Sequence, residues 1–164
     1  MGRWPRPQAR GRDDGSAIVE FLGMSLLLLV PLLYLVVALS RIQTGAYGAE
    51  FAARESSRGA VVAGVQSLER GASLDQAVAA ANRRANTVAA LAVEDFGFDA
   101  DRSAHVALGC NPQPCLSPGS DVVTTVEITV DLPGVPGFVR GWLPLGVTVQ
   151  STSASAVDGF ASGS

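Results

Sequence analysis

From Leu22 to Leu39 the chain carries no charged residue. An apolar run of about 20 residues, at 1.5 Å per residue, spans a bilayer core as a helix. The run opens in Gly15-Ser16-Ala17-Ile18-Val19-Glu20-Phe21, so a transmembrane helix is predicted over residues 16–40. Helical periodicity continues beyond it: Ile42, Ala46, Ala49, Ala53, Ser56 and Ala60 recur at spacings of four and three. This narrow stripe of small residues lets another helix approach closely. Glu50 and Arg54 stand four apart in the favourable order, and Arg54 and Arg58 share that polar face. Residues 41–66 thus read as a stalk helix continuing the membrane helix, the plainer alternative being a short linker helix. One helix from Ser16 to Gln66 would be roughly 75 Å long. Pro31 is expected to kink it unless neighbouring groups satisfy the freed carbonyl.

A second amphipathic helix is predicted over residues 73–94. Ser73 and Gln76 form a capping box, and Leu74, Ala77, Val78, Ala81, Ala85, Val88 and Leu91 make one face. Asp75, Arg83 and Asn86 lie away from it. Arg83-Arg84 reads first as a solvated face and second as a partner contact. Gly64 to Gly71 is the expected turn between the two helices.

Period-two alternation then takes over. From Asp121 to Leu132, Val122, Thr124, Val126, Ile128, Val130 and Leu132 share one face, and Val123, Thr125, Glu127, Thr129 and Asp131 the other. This is the signature of a half-buried antiparallel strand. Ser103–Leu108 and Val147–Ala156 are the other strand candidates. Between strands, Pro133–Gly146 holds Phe138, Val139, Trp142 and Leu143. These residues either fold back over the sheet or dock on a membrane or a neighbouring subunit. Asp158–Ser164 is a small, polar tail.

The predicted fold class is α+β: a long N-terminal transmembrane and stalk helix, a second amphipathic helix, and a small antiparallel sheet of about three strands. The expected organisation is a cytoplasmic leader (1–15), a transmembrane helix (16–40), a stalk (41–66), an extracytoplasmic α+β domain (67–157) and a flexible tail (158–164). Without the leader and the apolar run, about 120 residues remain, an ordinary single-domain size.

Charge refines this picture. Arg3, Arg6, Arg10 and Arg12 precede the apolar run and Arg41 alone follows it closely. That asymmetry places the N-terminus in the cytoplasm and the body outside the plasma membrane. The apolar core is longer than that of an ordinary secretory signal, and Gly45, Ala46 and Gly48 make only a weak cleavage site after it. The net charge is −3 and no basic cluster occurs outside the leader, so nucleic-acid binding has no electrostatic footprint.

Cys110 and Cys115, the only cysteines, flank Asn-Pro-Gln-Pro between two predicted strands. On the outer side of a membrane a short-loop disulfide is expected. A metal site would need further ligands, and His105 is the single histidine; it reads as an ordinary strand residue. No phosphate loop, dinucleotide fingerprint, zinc-protease motif or nucleophile elbow occurs. The chain reads as the substrate of a peptidase, not as an enzyme, and no cofactor is expected.

Glu20 is the feature that a plain anchor does not explain. A carboxylate in the first turns of a membrane helix is costly unless paired. Gly15-Ser-Ala-Ile-Val-Glu20-Phe21 resembles the class III signal of type IV pilins. With the Leu-rich run broken by Pro31 and Ala52-Ala53-Arg54-Glu55-Ser56-Ser57-Arg58, residues 15 to about 60 resemble the TadE-like proteins. These are pseudopilins of the tight adherence (Flp, type IVb) pilus system. Pro31 falls somewhat later in the run than the family pattern has it.

The resemblance implies cleavage by a prepilin peptidase after Gly15, leaving Ser16 as the new N-terminus and Glu20 as position five, with the aromatic Phe21 after it. Glu20 of one subunit would pair with the free amine of Ser16 on the next and set register in a helical bundle. The implied role is structural, in assembly or initiation of a Flp-type pilus, with incorporation in the pilus as one form of it. The implied partners are the prepilin peptidase, the major Flp pilin, a related pseudopilin and the inner-membrane assembly platform. Two alternatives are an uncleaved, single-pass, membrane-anchored binding domain and a pseudopilin of a type II secretion or DNA-uptake machine.

Overall fold

The structure, a computed structural model, describes residues 14–134 and 146–158. Expectations for the leader, for Phe138, Val139, Trp142 and Leu143, and for the last six residues lie outside the described residues. The chain orders as α1 (Asp14–Glu69), α2 (Leu74–Asp95), α3 (Ala100–Ser103), β1 (Ala104–Asn111), β2 (Asp121–Asp131) and β3 (Gly146–Ala156). It divides into two compact units between Ala38 and Leu39.

In the first unit, α1 presents apolar side chains outward all round. Every large one from Ile18 to Val37 is between 43% and 75% exposed. The helix is unbroken through Pro31, although proline forfeits one backbone donor there. This stretch makes α1 long and apolar enough to cross a membrane.

The second unit has two layers. The antiparallel sheet, in the order β1-β2-β3, forms one, and α1 from Leu39 onward with α2 forms the other. Central β2 pairs on both sides, with Val126 opposite Val106 of β1 and Ser151 of β3. Its alternation is the expected one: Val122, Thr124, Val126, Ile128 and Val130 are buried. They face a seam of small residues, Ala49, Ala52, Ala53 and Ala60 of α1 and Ala77, Ala81, Ala85, Ala89 and Ala92 of α2. Alanine on both helices brings the two backbones and the sheet close together.

Five boundaries or faces differ from expectation. β1, expected over Ser103–Leu108, spans Ala104–Asn111, with Ser103 in α3. α1 runs to Glu69 because Gly71, at φ 81°, supplies a left-handed C-terminal turn in which its N–H bonds the Leu68 carbonyl at 2.8 Å. The turn is therefore short rather than spanning Gly64–Gly71. Ala46, expected on the packing stripe of α1, is exposed, whereas Gly48, Ala52 and Ser57 are buried. That buried face is broad because α1 touches both α2 and the sheet. On α2, Leu74 and Leu91 are exposed at the ends of the predicted face, while Ala89, Ala92 and Val93 are buried. The short α3, capped by Asp99, which accepts from the Arg102 N–H at 3.3 Å, has no counterpart among the predicted elements.

The capping box at Ser73 is formed: its side chain accepts from the Gln76 N–H at 3.4 Å, and the Ser73 N–H donates to Gln76 Oε1 at 3.1 Å. The six-residue cysteine segment is closed by a Cys110–Cys115 disulfide with its Cα atoms 5.2 Å apart.

Candidate functional site

α1 starts at Asp14, which places Gly15, Ser16, Glu20 and Phe21 within its first two turns. Ser16 and Glu20 are four apart and share one helix face with Gly23, since every third or fourth residue returns to that face. Glu20 and Ser16 are exposed, and Phe21 is 71% exposed. A Cβ built on Gly23 would meet nothing within 4 Å. The result is a helix end carrying a carboxylate and a small-residue notch on one face, followed by an unbroken apolar surface. Apolar exposure on this scale marks a surface meant for lipid or for other helices.

That arrangement offers two kinds of chemistry. The Gly15–Ser16 peptide bond is a hydrolysable link between a charged leader and the apolar helix. Its hydrolysis would create an ammonium at Ser16. Glu20 supplies the opposite charge one helical turn along, but on one helix or between two the pair is equally legal. A carboxylate placed inside a membrane would need such a partner.

The Ala52–Arg58 segment is split between two tasks. Ala52, Ala53, Ser56 and Ser57 are buried. The Ser56 hydroxyl donates to the Ala52 carbonyl. That of Ser57 donates to the Arg54 carbonyl at 2.9 Å and meets Ser153 Oγ of β3 at 3.4 Å. These short side chains seat α1 against the sheet. The exposed half is charged: Arg54 pairs with Glu50, and Arg58 with Glu55 at 4.0 Å. Sequence reasoning found the segment and the Glu50–Arg54 pair but missed Ser57–Ser153, since no pattern in either segment names the other.

The remaining candidates are dispersed. Cys110 and Cys115 are in the second unit, at the β1 end of the connection to β2, and are consumed by their disulfide. His105 is exposed on β1, opposite Glu127 in register. Among the described residues, no group of three His, Cys, Asp or Glu side chains is placed to hold a metal ion. An open cavity of about 360 Å³ beside Arg41, Phe98, Asp99, Arg102 and Asp131 mixes both charge signs, and Arg102 Nε lies 3.4 Å from Asp99 Oδ2.

Fold and site together define the class: an α+β domain built on a helix whose N-terminal part is long and apolar enough to cross a membrane. Comparison with family models, with curated proteins and with solved structures gives no match to this chain.

Proposed function

We propose that the protein is a TadE-like pseudopilin, cut by a prepilin peptidase after Gly15 and acting structurally in assembly or initiation of a Flp-type pilus. The observation that carries this reading is the position of Gly15, Ser16, Glu20 and Phe21 in the opening turns of α1, a helix long and apolar enough to cross a membrane. A peptidase working at the cytoplasmic face would meet Gly15–Ser16 at the membrane boundary, and the body would stay outside. Glu20 would then sit in the lipid, where only a cationic partner offsets its desolvation. The Ser16 amine of a neighbouring subunit is such a partner. No catalytic role is assigned to any side chain, and the platform, major pilin and a related pseudopilin are the partners this role requires.

The mature N-terminus tests the proposal. Mass spectrometry of the membrane fraction is expected to find a chain that begins at Ser16. The Gly15→Leu variant is expected to retain the leader. A wild-type chain that still carries its leader, in cells with an active prepilin peptidase, would leave an uncleaved anchored domain as the better account.

A further inference from the structure

The connection from β1 to β2 has two halves that are held differently. The second half is bonded to the residue after β3: the Gly119 N–H donates to the Val157 carbonyl at 3.1 Å, and the Val157 N–H to the Ser120 carbonyl at 2.8 Å. The first half has no such main-chain bonds. Pro112 and Pro114 lack an N–H, and those of Gln113, Cys115 and Leu116 reach no carbonyl among the described residues. Its side-chain hydrogen bonds are local, from Gln113 Nε2 to the Cys110 carbonyl at 3.4 Å and from Ser117 Oγ to the Pro114 carbonyl at 2.8 Å. What seats this half on the body is the Cys110–Cys115 bond and the Leu116 side chain.

Leu116 is a weak fastening by itself. Its side chain is buried over Gly64, but its backbone is held at φ 62°. A left-handed backbone is unfavourable for a residue with a Cβ, and it persists where its surroundings impose it. Burial of a leucine side chain offsets the ordering of about one or two backbone residues, and here all of residues 112–116 must be ordered. The bridge does that ordering in advance. It is also within reach of a reagent, since residues 111–114 are exposed and both cysteines are half-buried.

The core of the second unit is partitioned. One cluster holds Ala49, Ala53, Val93, Val126 and Ile128. The other holds Ala60, Ala81, Leu116, Val122 and Val157, with Cys110 and Cys115 packed against it. Leu116 therefore closes one end of the core, and the cluster at the other end is built without it.

We infer that the Cys110–Cys115 bond is a redox clasp. While it is formed, Leu116 is held over Gly64. Its reduction by a dithiol releases residues 112–116 and opens that end of the core, and the rest of the second unit stays folded. In the step, a thiolate of the reductant attacks one cysteine sulfur, breaks the bridge and gives a mixed disulfide. The second thiol of the reductant then displaces that sulfur and closes the reductant's own disulfide. Two electrons and two protons pass to the cysteines, which end as two thiols. The inference does not rest on the pilus reading.

The test uses the full chain in lipid nanodiscs, with isoleucine, leucine and valine methyls labelled for NMR and dithiothreitol as the dithiol. Alkylation and mass spectrometry count the free thiols. The oxidised chain is expected to show a cross-peak between the Leu116 methyls and Gly64 Hα. Excess dithiothreitol at neutral pH is expected to free both thiols and weaken that cross-peak by about fivefold or more, with the Val93 and Ile128 methyl signals unmoved. Reoxidation should restore it, and the Cys110→Ser/Cys115→Ser pair should match the reduced chain. A Leu116–Gly64 cross-peak that persists with both thiols free would make the bridge a staple only and overturn the proposal. Loss of the Val93 and Ile128 signals together with it, which is global unfolding, would overturn it too, as would a bridge that excess dithiothreitol leaves closed in the folded chain.

Discussion

Gly64 of α1 lies directly under Leu116, so that a Cβ at position 64 would fall 2.6 Å from Cδ1 of the leucine. Leu116 is 4% exposed and has φ 62°, a left-handed backbone that leucine rarely adopts. The side chain reaches over α1 to close the core cluster that holds Ala60, Val122 and Val157. Gly64→Ala is therefore expected to destabilise the second unit by about 1–3 kcal/mol through overpacking. Pairing it with Leu116→Ala should restore part of that loss, because the smaller side chain vacates the clash. Urea melts of the two single variants and the double variant measure the coupling, and strict additivity would show that the contact carries no energy.

The disulfide precedes that leucine by one residue. Cys110 is the penultimate residue of β1 and Cys115 leads into Leu116, so the bridge ties the backbone from which Leu116 reaches the core to the strand. Closing so short a loop removes unfolded-chain entropy worth about 2 kcal/mol. Reduction, or the Cys110→Ser/Cys115→Ser pair, is expected to lower stability by about that amount. The effect should combine non-additively with Gly64→Ala, since both act on one side chain. Thermal melts with and without reductant check the first expectation and the combined variant checks the second.

The same residues show what a sequence makes legible. β2 could be read because its period of two is uninterrupted over Val122–Val130, and one face of it is buried by a single layer. The capping box at Ser73 could be read because both partners are local. The cysteine pair could be read because five residues of separation allow a bridge and few other partners exist. The face of α1 could not be read as well. Its buried positions are glycine, alanine and serine, whose small hydropathy contrast hides which side is inward, and the helix is covered by α2 and by the sheet at once. Leu116 over Gly64 and Ser57 beside Ser153 are contacts between distant segments, and neither leaves a periodic trace. At the helix start the legible part is the motif itself. Ser16 and Glu20 are exposed there, so their significance lies in what they meet outside the chain.

Thr124 gives a stability prediction of the opposite sign. It is fully buried on the inward face of β2, and its Oγ1 finds no hydrogen-bond partner among the described residues. A buried hydroxyl without a partner costs about 1–3 kcal/mol relative to an apolar group of the same shape. Thr124→Val keeps the β-branched shape and removes the unmet oxygen. It is expected to stabilise the second unit by about 1 kcal/mol, read as a higher urea midpoint at unchanged slope. A lower midpoint would show that the hydroxyl is satisfied.

Glu20 separates the filament role from mere anchorage, on the proposed function above. Replacing it by leucine makes the first turns of α1 more apolar, which favours insertion, and leaves Gly15–Ser16 untouched. Glu20→Leu is therefore expected to be inserted and cut as in the wild type, with Ser16 as its N-terminus. What it loses is the cation partner that orders neighbouring helices. Surface pili should then fall by about tenfold or more, the loss of roughly 1.4 kcal/mol or more of pairing free energy at each assembly step. Glu20→Gln, which keeps the size and loses the charge, should fall with it. A plain anchor predicts full function for both variants, so a wild-type pilus count alongside correct processing would remove Glu20 from any role in register. Counting pili by electron microscopy, with the mature N-terminus measured on the same cells, keeps a processing defect distinct from an assembly defect.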